Sequence, residues 1–364
     1  MTKVVIDARE SGTSTGRYID KLVGNLHELS PTYEIEVLTK THRMDYIKQV
    51  APNFTVTESP YEEFGFGEQL GFKRQLTSLK ADLVHFGMVQ QPVFYRGRVV
   101  TTIHDLTTVR FTNPDKKRTS FWVKQQVYKW VIKRVAKKSK AIITPSQFVK
   151  DDLVAYTGIN PDKITVTYEA ADFITDSPTP LPDLQNKQFI MYVGRPTPHK
   201  NLERLIDAFR LLQAQHPSLH LLLAGKKDAN YRRIEAMVQQ KDIKNVVFSD
   251  FVNDSQLRWL YENCSAYVFP SLSEGFGLPG LEAMVHGAPV VSSNATCLPE
   301  VYGDAAHYFN PTDTQSIANS INEVLTDEKL REDLVAQGKA QAAKYSWQRM
   351  AEQTLAIYSQ ILES

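Results

Sequence analysis

Short apolar runs rich in β-branched residues alternate with longer stretches of helical periodicity, and this alternation constrains the fold more than any other feature. The first series of runs covers residues 3–7, 33–39, 83–86, 99–104, 141–145 and 164–168, and the second covers residues 189–194, 219–225, 246–251, 266–271 and 288–293. Such a rhythm is typical of parallel sheets covered by helices, which bind ligands beyond the carboxyl ends of their strands. The sequence therefore predicts an α/β protein with two Rossmann-like, doubly wound domains facing a cleft.

The chain length and one proline-rich stretch place the domain boundary. A chain of 364 residues exceeds the size at which one hydrophobic core keeps growing, so two domains are expected. Residues 172–186 are rich in proline and lack a strand pattern, which is typical of a linker. We predict an N-terminal domain over residues 1–172 and a C-terminal domain over residues 187–345. The helical pattern of residues 346–364 is expected to return to the N-terminal domain.

Charge, cysteine usage and hydropathy argue against several classes of protein. The formal net charge is +1, so no global field points to nucleic acid. Cys264 and Cys297 have neither the spacing of a zinc site nor that of a disulfide framework, which fits a reducing compartment. The sequence shows no signal-peptide core and no run of about 20 apolar residues. We expect a cytoplasmic protein whose partners bind at local sites.

The segment 271–287, SLSEGFGLPGLEAMVHG, is the most informative stretch of the sequence. It follows a predicted strand, and Glu274 lies in its glycine-rich turn. Pro279 suits the first turn of a helix, whose free amides can face a ligand oxygen, and Glu282 falls on that helix. The two carboxylates are suited to bind hydroxyl groups on different parts of one extended ligand. Either glutamate alone is more often a surface residue at a helix entry, so the combination carries the prediction.

Two loops that follow predicted strands are suited to bind phosphate. In VGRPTPHKN, Arg195 and Lys200 come directly after a strand, where their charges can neutralise a phosphate. In SGTSTGRY, glycines allow close approach of the backbone, and Gly16 is the best phosphate neighbour. Taken alone, such cations are usually solvated and such a turn usually holds no ligand. The second loop also lacks the G-x-G-x-x-G fingerprint, which argues against a Rossmann oxidoreductase.

Two histidines lie in or after predicted strands of the first series. His104 and Asp105 end one of these strands, which places the imidazole at the rim of the predicted cleft. A lone histidine at a strand end is more often structural, and we interpret His85 in that way.

Together these segments resemble glycosyltransferase family 4. Glu274 to Glu282 matches the E-x7-E pattern of retaining glycosyltransferases, and EGFGLPGLEAM is similar to the family's version of it. Further similar segments follow in the same order along nearly the whole chain: IDAR, GRYI, TIHDL, TPSQFVKDDL, VGRPTPHKNLERLIDAF and LPEVYGDAAHYFNP. The resemblance implies a GT-B fold, a nucleotide-sugar donor held mainly by the C-terminal domain, and no metal or cofactor.

Carried over to this sequence, the resemblance assigns a role to each matching residue. Glu282 is expected to bind the donor ribose, Glu274 the transferred hexose, and Arg195 with Lys200 the pyrophosphate. The implied catalytic residues are His104, Arg195, Lys200 and Glu274, and the implied donor-binding residues are Gly16, Gly194, Arg195, Lys200, Phe251, Val252, Glu274, Gly275, Phe276, Gly277, Leu278 and Glu282. Thr15 stands where the family commonly has glycine or isoleucine, so the resemblance supports a phosphate contact at Gly16 better than one at Gly12.

The resemblance also implies a mechanism and a donor. No carboxylate stands out as a nucleophile, so the expected mechanism is an internal return on one face, with the departing phosphate helping to deprotonate the acceptor. DAR followed by GRY is most similar to the mannosyltransferase branch, which favours GDP-mannose and a glycan or lipid-linked acceptor. UDP-glucose or another UDP-sugar is the alternative donor. A non-catalytic sugar-nucleotide-binding protein is the alternative from another class.

A basic stretch over residues 113–140 suggests one further partner. It holds ten Lys or Arg against the single acid Asp115, and the aromatic residues Phe121, Trp122, Tyr128 and Trp130 are interleaved among them. Such a pattern is typical of a helix at an anionic membrane surface, here the inner face of the cell membrane. A solvated helix whose aromatic side chains pack on the sheet explains it equally well. RNA binding is a third interpretation.

Overall fold

The computed structural model of the protein describes residues 2–63, 65–111 and 118–364, and for residues 118–121 and 123 it describes the backbone alone. The described part of the chain forms two compact domains. Of the described residues, the first comprises 2–63, 65–109, 122–169 and 346–364, and the second comprises 110–111, 118–121 and 170–345. The proline-rich stretch 172–186 therefore belongs to the second domain, and the C-terminal helix belongs to the first.

The first domain is built on a seven-stranded parallel sheet. Its elements are β1 (Lys3–Asp7), α1 (Arg17–Glu28), β2 (Glu34–Thr39), α2 (Met44–Val50), β3 (Thr55–Glu58), α3 (Lys73–Ser78), β4 (Leu83–Phe86), β5 (Val99–Thr102), α4 (Thr107–Arg110), α5 (Arg118–Lys138), β6 (Ala141–Thr144), α6 (Gln147–Thr157) and β7 (Ile164–Val166). The strand order is β3-β2-β1-β4-β5-β6-β7. The order reverses between β1 and β4, which makes their carboxyl ends the usual place for a ligand in such a sheet.

Apolar stripes at helical spacing explain how the helices cover this sheet. Helix α1 buries Tyr18, Leu22 and Leu26 on one face, as expected for an amphipathic helix. Helix α5 contributes Ile132 and Val135 to a core cluster that also contains residues of β6 and α6. The stripes thus fix which face of each helix meets the sheet.

The second domain is built on a six-stranded parallel sheet. Its elements are β8 (Phe189–Val193), α7 (Leu202–Leu212), β9 (His220–Ala224), α8 (Ala229–Gln240), β10 (Val246–Asp250), α9 (Asp254–Asn263), β11 (Ala266–Phe269), α10 (Leu278–Val285), β12 (Val290–Ser293), α11 (Leu298–Tyr302), β13 (Ala306–Phe309), α12 (Thr314–Thr326) and α13 (Glu328–Ala342). The strand order is β10-β9-β8-β11-β12-β13, with the reversal between β8 and β11. The last helix, α14 (Trp347–Glu363), packs against α1 of the first domain.

The two doubly wound domains confirm the predicted α/β fold. Each predicted strand is present, with ends that differ by a few residues at most. Two strands that the sequence did not reveal are β3 and β13, which lie at the edges of their sheets. Strand β3 has the sequence TVTE and buries no residue fully, so it lacks the apolar run of a central strand.

Candidate active site

Two of the predicted site residues meet at the strand reversal of the second sheet. Lys200 follows β8 and Glu274 follows β11, and these two strands are neighbours. Lys200 Nζ donates to Glu274 Oε1 at 2.5 Å, and the two side chains are 18% and 12% exposed. The pair thus lies beyond the carboxyl ends of adjacent parallel strands, where doubly wound sheets bind their ligands.

Asn201 holds the Lys200 loop against the loop that carries Glu274. Its backbone is left-handed, with φ +62°, a conformation that asparagine tolerates better than most residues. Its Nδ2 donates to the Pro270 carbonyl at 3.0 Å and to the Pro311 carbonyl at 2.8 Å. Asn201 was not predicted to support the site. An asparagine, which tolerates a left-handed backbone, directly after a predicted site lysine is the sequence signal that points to it.

The backbone of Glu274 is held from the loop after β12. Its N–H donates to Thr296 Oγ1 at 3.1 Å, and its carbonyl accepts from the Cys297 thiol at 3.4 Å. Burial raises the pKa of that thiol, and the Glu274 carboxylate adds to the effect. Neither Thr296 nor Cys297 was predicted to support the site, because their contact with Glu274 arises only from the fold.

Gly277 begins helix α10 in a conformation that only glycine adopts easily. Its φ is +93°, and a Cβ added there would lie 2.6 Å from Leu298 Cδ2 and 2.6 Å from Tyr302 Oη. The Tyr302 hydroxyl donates to the Gly277 carbonyl at 2.5 Å. This contact fixes the turn between Glu274 and the helix, so the glycines of the motif have a packing reason as well as a backbone one.

Glu282 lies half-buried on helix α10, one turn before His286. The Tyr261 hydroxyl donates to Glu282 Oε2 at 3.4 Å. His286 Nε2 accepts from the Ile174 N–H at 3.0 Å, so its Nδ1 carries the proton donated to the Glu282 carbonyl at 2.8 Å. The proline-rich stretch that contains Ile174 is therefore bonded to the helix that carries Glu282.

The other predicted donor-binding residues of the second domain lie around this reversal point or at the end of β10. Arg195 is exposed, and the neighbouring Gly194 has φ +146° and accepts from the Tyr231 hydroxyl at 3.0 Å. Phe251 is 77% exposed directly after β10, and Val252 is half-buried. Of the motif residues, Gly275 and Phe276 are buried and Leu278 is half-buried. Their contacts with a donor stay predictions.

Gly16 begins helix α1 of the first domain, and the structure gives it a packing role. A Cβ added there would lie 1.7 Å from the Glu10 carbonyl oxygen. The Gly16 N–H donates to Thr13 Oγ1 at 2.9 Å, and the Gly12 N–H donates to an Asp20 carboxylate oxygen at 3.1 Å. Both amides already have partners, so phosphate binding at this loop stays a prediction.

His104 lies half-buried after β5, and both of its ring nitrogens face acceptors. Nδ1 lies 3.2 Å from Glu169 Oε1, and Nε2 lies 3.0 Å from the Gly87 carbonyl oxygen. Burial lowers the pKa of His104, but the Glu169 carboxylate, the Gly87 carbonyl and Asp105 together raise the pKa above its ordinary value. The sequence analysis missed Glu169, because 65 positions separate it from His104.

His85 lies fully buried on β4, in contacts that agree with its structural interpretation. Its Nδ1 lies 2.5 Å from the Tyr358 hydroxyl of α14, and its Nε2 lies 2.9 Å from Thr102 Oγ1. Burial, assisted by the charge of His104, lowers the pKa of His85 to about 3. This histidine is therefore neutral at physiological pH and ties α14 to the sheet.

Within residues 2–63, 65–111 and 118–364, no group of three or more His, Cys, Asp or Glu side chains is placed to hold a metal ion. Among the helices in that same part of the chain, none has the length and apolar character of a membrane span.

Known proteins match this chain in both sequence and fold. The family model described as glycosyl transferases group 1 matches residues 175–341, and that of Glycosyltransferase Family 4 matches residues 15–173. The O-antigen chain mannosyltransferase B of Escherichia coli is 32% identical over 384 aligned residues, which cover 95% of this chain and 96% of that protein.

Solved structures share the GT-B fold with this chain. A sucrose-phosphate synthase from Thermosynechococcus elongatus matches with a TM-score of 0.78 and 18% identity, covering 100% of both chains. HepE of Anabaena, solved in complex with UDP and glucose, matches with a TM-score of 0.75 and 18% identity, covering 99% of this chain and 100% of that one.

Proposed function

Since this chain belongs to glycosyltransferase family 4, we propose that it transfers mannose from GDP-mannose to a glycan or lipid-linked acceptor, with retention of configuration and without a metal ion. One observation carries the proposal: Lys200 and Glu274 form an ion pair at the strand reversal of the second sheet, and Glu282 lies on the helix that follows. The name of the Escherichia coli relative supports mannose as the transferred sugar.

The Lys200–Glu274 ion pair suits a ligand-binding site, because each side chain can exchange its contact with the other for a contact with the ligand. Lys200 and Glu274 are both partly exposed, so a bound donor can take the place of each partner. Lys200 then binds the pyrophosphate together with the exposed Arg195, and the Glu274 carboxylate accepts hydrogen bonds from hydroxyls of the hexose. Glu282 accepts from the ribose hydroxyls. The two cations stabilise the negative charge that develops on the departing phosphate, which is the chief demand of the reaction.

The configuration is retained if the acceptor attacks the sugar ring on the same face from which the phosphate departs. The transition state resembles an oxocarbenium ion, and the departing phosphate takes the proton of the acceptor hydroxyl. The expected product therefore keeps the anomeric configuration of the donor, which NMR of the first product formed can establish. Isolation of a covalent glycosyl adduct on a side chain of the working enzyme would contradict this mechanism.

A calorimetric titration with a panel of GDP- and UDP-sugars tests the donor, followed by transfer and hydrolysis assays on those that bind. We expect GDP-mannose to bind and turn over, and turnover to persist in excess EDTA. The Lys200→Ala variant should lose turnover, whereas Lys244→Ala, at a lysine with a 72% exposed side chain, should keep it. Preference for a UDP-sugar would correct the donor. Binding without turnover of any sugar would favour a non-catalytic sugar-nucleotide-binding protein.

We also propose that the first domain contacts an anionic membrane through helix α5 and the loops beside it. Residues 113–117 and the side chain of Phe121 lie outside the described residues. Over Arg118–Lys138 the sequence contains no Asp or Glu. Trp122 and Trp130 are 61% and 50% exposed. This exposure supports a helix that lies at a membrane surface over a helix whose aromatic side chains all pack on the sheet. Tyr128, by contrast, packs against the core cluster.

Neighbouring loops extend this apolar surface. The Phe94 ring lies 6.2 Å from that of Trp130. Phe66 and Leu70 are 89% and 60% exposed on a segment that Gln69 bonds to the loop before Phe94. Exposed apolar patches bordered by cations are typical of surfaces that meet anionic lipid.

Sedimentation with liposomes tests the membrane contact. Vesicles that contain phosphatidylglycerol should sediment the protein at low salt, and a Trp130→Ala, Lys133→Glu variant should stay in the supernatant, because each cation near the surface contributes about 1 kcal/mol. The matched control Lys244→Glu, in the second domain, should sediment like the wild type. Equal sedimentation with neutral vesicles, or none with anionic ones, would remove the proposal. RNA that retards the protein in a gel would favour the other interpretation.

A further inference from the structure

We propose that Glu169 keeps the imidazole of His104 doubly protonated, so that His104 acts as a hydrogen-bond-donating cation and not as a base. The consequence for transfer rests on the proposed function and on the family resemblance, which implies that His104 is a catalytic residue. The structural evidence lies wholly within the first domain and does not depend on any ligand.

With Glu169 ionised, the two contacts together call for a proton on each ring nitrogen. The Gly87 carbonyl oxygen, 3.0 Å from Nε2, can only accept a hydrogen bond. The Glu169 carboxylate, 3.2 Å from Nδ1, is likewise an acceptor. A neutral imidazole has one N–H and one lone pair, so one of these contacts would bring two lone pairs together. The imidazolium satisfies both.

The groups packed around the ring support the charge. The Glu169 side chain is 7% exposed, so the carboxylate is shielded from water and gains from a cationic partner. The Asp105 carboxylate, next in the chain, accepts from the Thr107 N–H at 2.7 Å and adds negative charge nearby. His85, the other titratable ring nearby, is neutral because burial lowers its pKa to about 3, so it adds no competing cation.

A buried chain of hydroxyl groups fixes the Tyr18 ring, which lies against His104. The Tyr18 ring is edge-on to His104, with centroids 4.9 Å apart. Thr102 Oγ1 donates to the Tyr18 hydroxyl at 3.0 Å, so it accepts from His85 Nε2. The Tyr358 hydroxyl of α14 then donates to His85 Nδ1. Helix α14 thus contributes to the position of the Tyr18 ring beside His104.

A doubly protonated His104 has no lone pair with which to accept a proton. Glu169 and the Gly87 carbonyl accept from its two N–H groups, so it contributes positive charge to its surroundings but cannot deprotonate the acceptor sugar. Glu169 is then a positioning residue, because it acts on the reaction through the charge of His104. This assignment leaves the departing phosphate as the proton acceptor in the proposed mechanism.

A pH titration of the full chain by NMR, with 15N-labelled histidine, tests the charge state directly. His104 should show both nitrogens protonated at pH 7, and its titration midpoint should move to lower pH in Glu169→Gln. A matched control is Glu323→Gln, because Glu323 Oε2 pairs with His307 Nε2 at 2.6 Å on the surface of the other domain. That variant should leave the His104 midpoint unchanged. A neutral His104 in the wild type at pH 7 would overturn the proposal, even if Glu169→Gln failed to fold.

The pH dependence of turnover separates this inference from the proposed function. In Glu169→Gln, kcat should fall at pH 8 and recover as the pH is lowered through the new His104 midpoint, with a smaller change in KM. If the NMR midpoint moves and the rate profile does not, the charge assignment stands and the placement of His104 in the transfer site is wrong. If the NMR midpoint stays where it is, the charge assignment fails, whatever the rates show.

Discussion

Each domain places a cation and a carboxylate beyond the carboxyl ends of its parallel strands, but the two pairs differ in freedom. Lys200 and Glu274 follow adjacent strands at the reversal point, and their side chains are 18% and 12% exposed. His104 and Glu169 follow β5 and β7, which β6 separates, and the ring also binds Gly87. We propose that the first pair, called the open pair below, exchanges its contact for a ligand, whereas the second, called the fixed pair, is also held by the Gly87 carbonyl. In this proposal, the pair at the strand reversal binds the ligand and the pair away from it supports the site.

Loss of the open pair, Lys200 and Glu274, should have the largest effect on turnover. Lys200→Ala removes the cation that we place on the departing pyrophosphate, and it should lower kcat by about 100-fold or more, as with other groups that stabilise developing charge. Glu169→Gln should retain far more activity below pH 7, because its effect passes through His104. Initial rates of transfer at saturating donor measure both.

Lys244→Ala is the control, since its side chain is 72% exposed and its ion pair with Asp242 lies on the surface. It should change kcat less than twofold. Unchanged turnover in Lys200→Ala would mean that the ion pair at the strand reversal is structural, and the contrast between the two pairs would disappear.

The glycines that follow β1 and β11 should be the next most sensitive positions. In Gly16→Ala the new Cβ would meet the Glu10 carbonyl oxygen at 1.7 Å, and in Gly277→Ala it would meet two side chains at 2.6 Å. Backbone yields less than side chains, so Gly16→Ala should destabilise the protein by about 3 kcal/mol and Gly277→Ala by about 2 kcal/mol. Urea unfolding followed by circular dichroism gives both free energies.

Gly24 provides the control for this pair, because it lies within α1 and a Cβ there meets nothing within 4 Å. Gly24→Ala should stabilise the protein by about 0.5–1 kcal/mol, since alanine restricts the unfolded chain. A Gly16→Ala variant as stable as the wild type would show that the β1 loop rearranges freely and that its glycine serves a ligand alone.

The strands and the residues around the two pairs also show which features the sequence can predict and which it cannot. The apolar alternation predicted both sheets, because buried parallel strands demand continuous apolar runs. The positions of Lys200, Glu274 and Glu282 could be predicted, because their short motifs follow strands directly, and their roles in binding stay predictions. Glu169, Asn201 and Tyr302 were not, since their contacts join segments far apart in the chain. The strands β3 and β13 were not predicted, because neither has a fully buried apolar run: TVTE buries no residue fully, and AHYF leaves its two central residues half-buried.

Removal of one tyrosine hydroxyl from each domain should have a smaller effect. The Tyr302 hydroxyl binds the Gly277 carbonyl beside the open pair, and the Tyr358 hydroxyl binds His85 behind the fixed pair. Tyr302→Phe and Tyr358→Phe each leave a buried acceptor without its donor, at a cost of about 1–3 kcal/mol. Thermal unfolding measures that cost. Tyr302→Phe should also raise the donor KM, and an equal rise in Tyr358→Phe would contradict the division of roles.

His85 and His104 of the first domain should give the smallest effects, with opposite dependence on pH. Burial lowers the pKa of His85 to about 3, below the value of about 6.5 in the unfolded chain. Its contribution to stability is present above pH 6.5 and is lost as the pH falls toward 3, by up to about 1.4 kcal/mol per pH unit. The pKa of His104 is raised, so its contribution is present below pH 6.5 and is lost as the pH rises through the raised value.

Unfolding free energies at pH 5.5, 6.5, 7.5 and 8.5 separate these contributions when each variant is compared with the wild type. His85→Gln should flatten the pH dependence on the acid side of pH 6.5, because the residue that resists protonation is gone. Glu169→Gln should flatten it on the alkaline side, because the partner that raises the pKa of His104 is gone. If both variants flattened the pH dependence on the same side of pH 6.5, His85 and His104 would have the same charge state. The pair of His104 and Glu169 would then contain no cation, unlike the pair of Lys200 and Glu274.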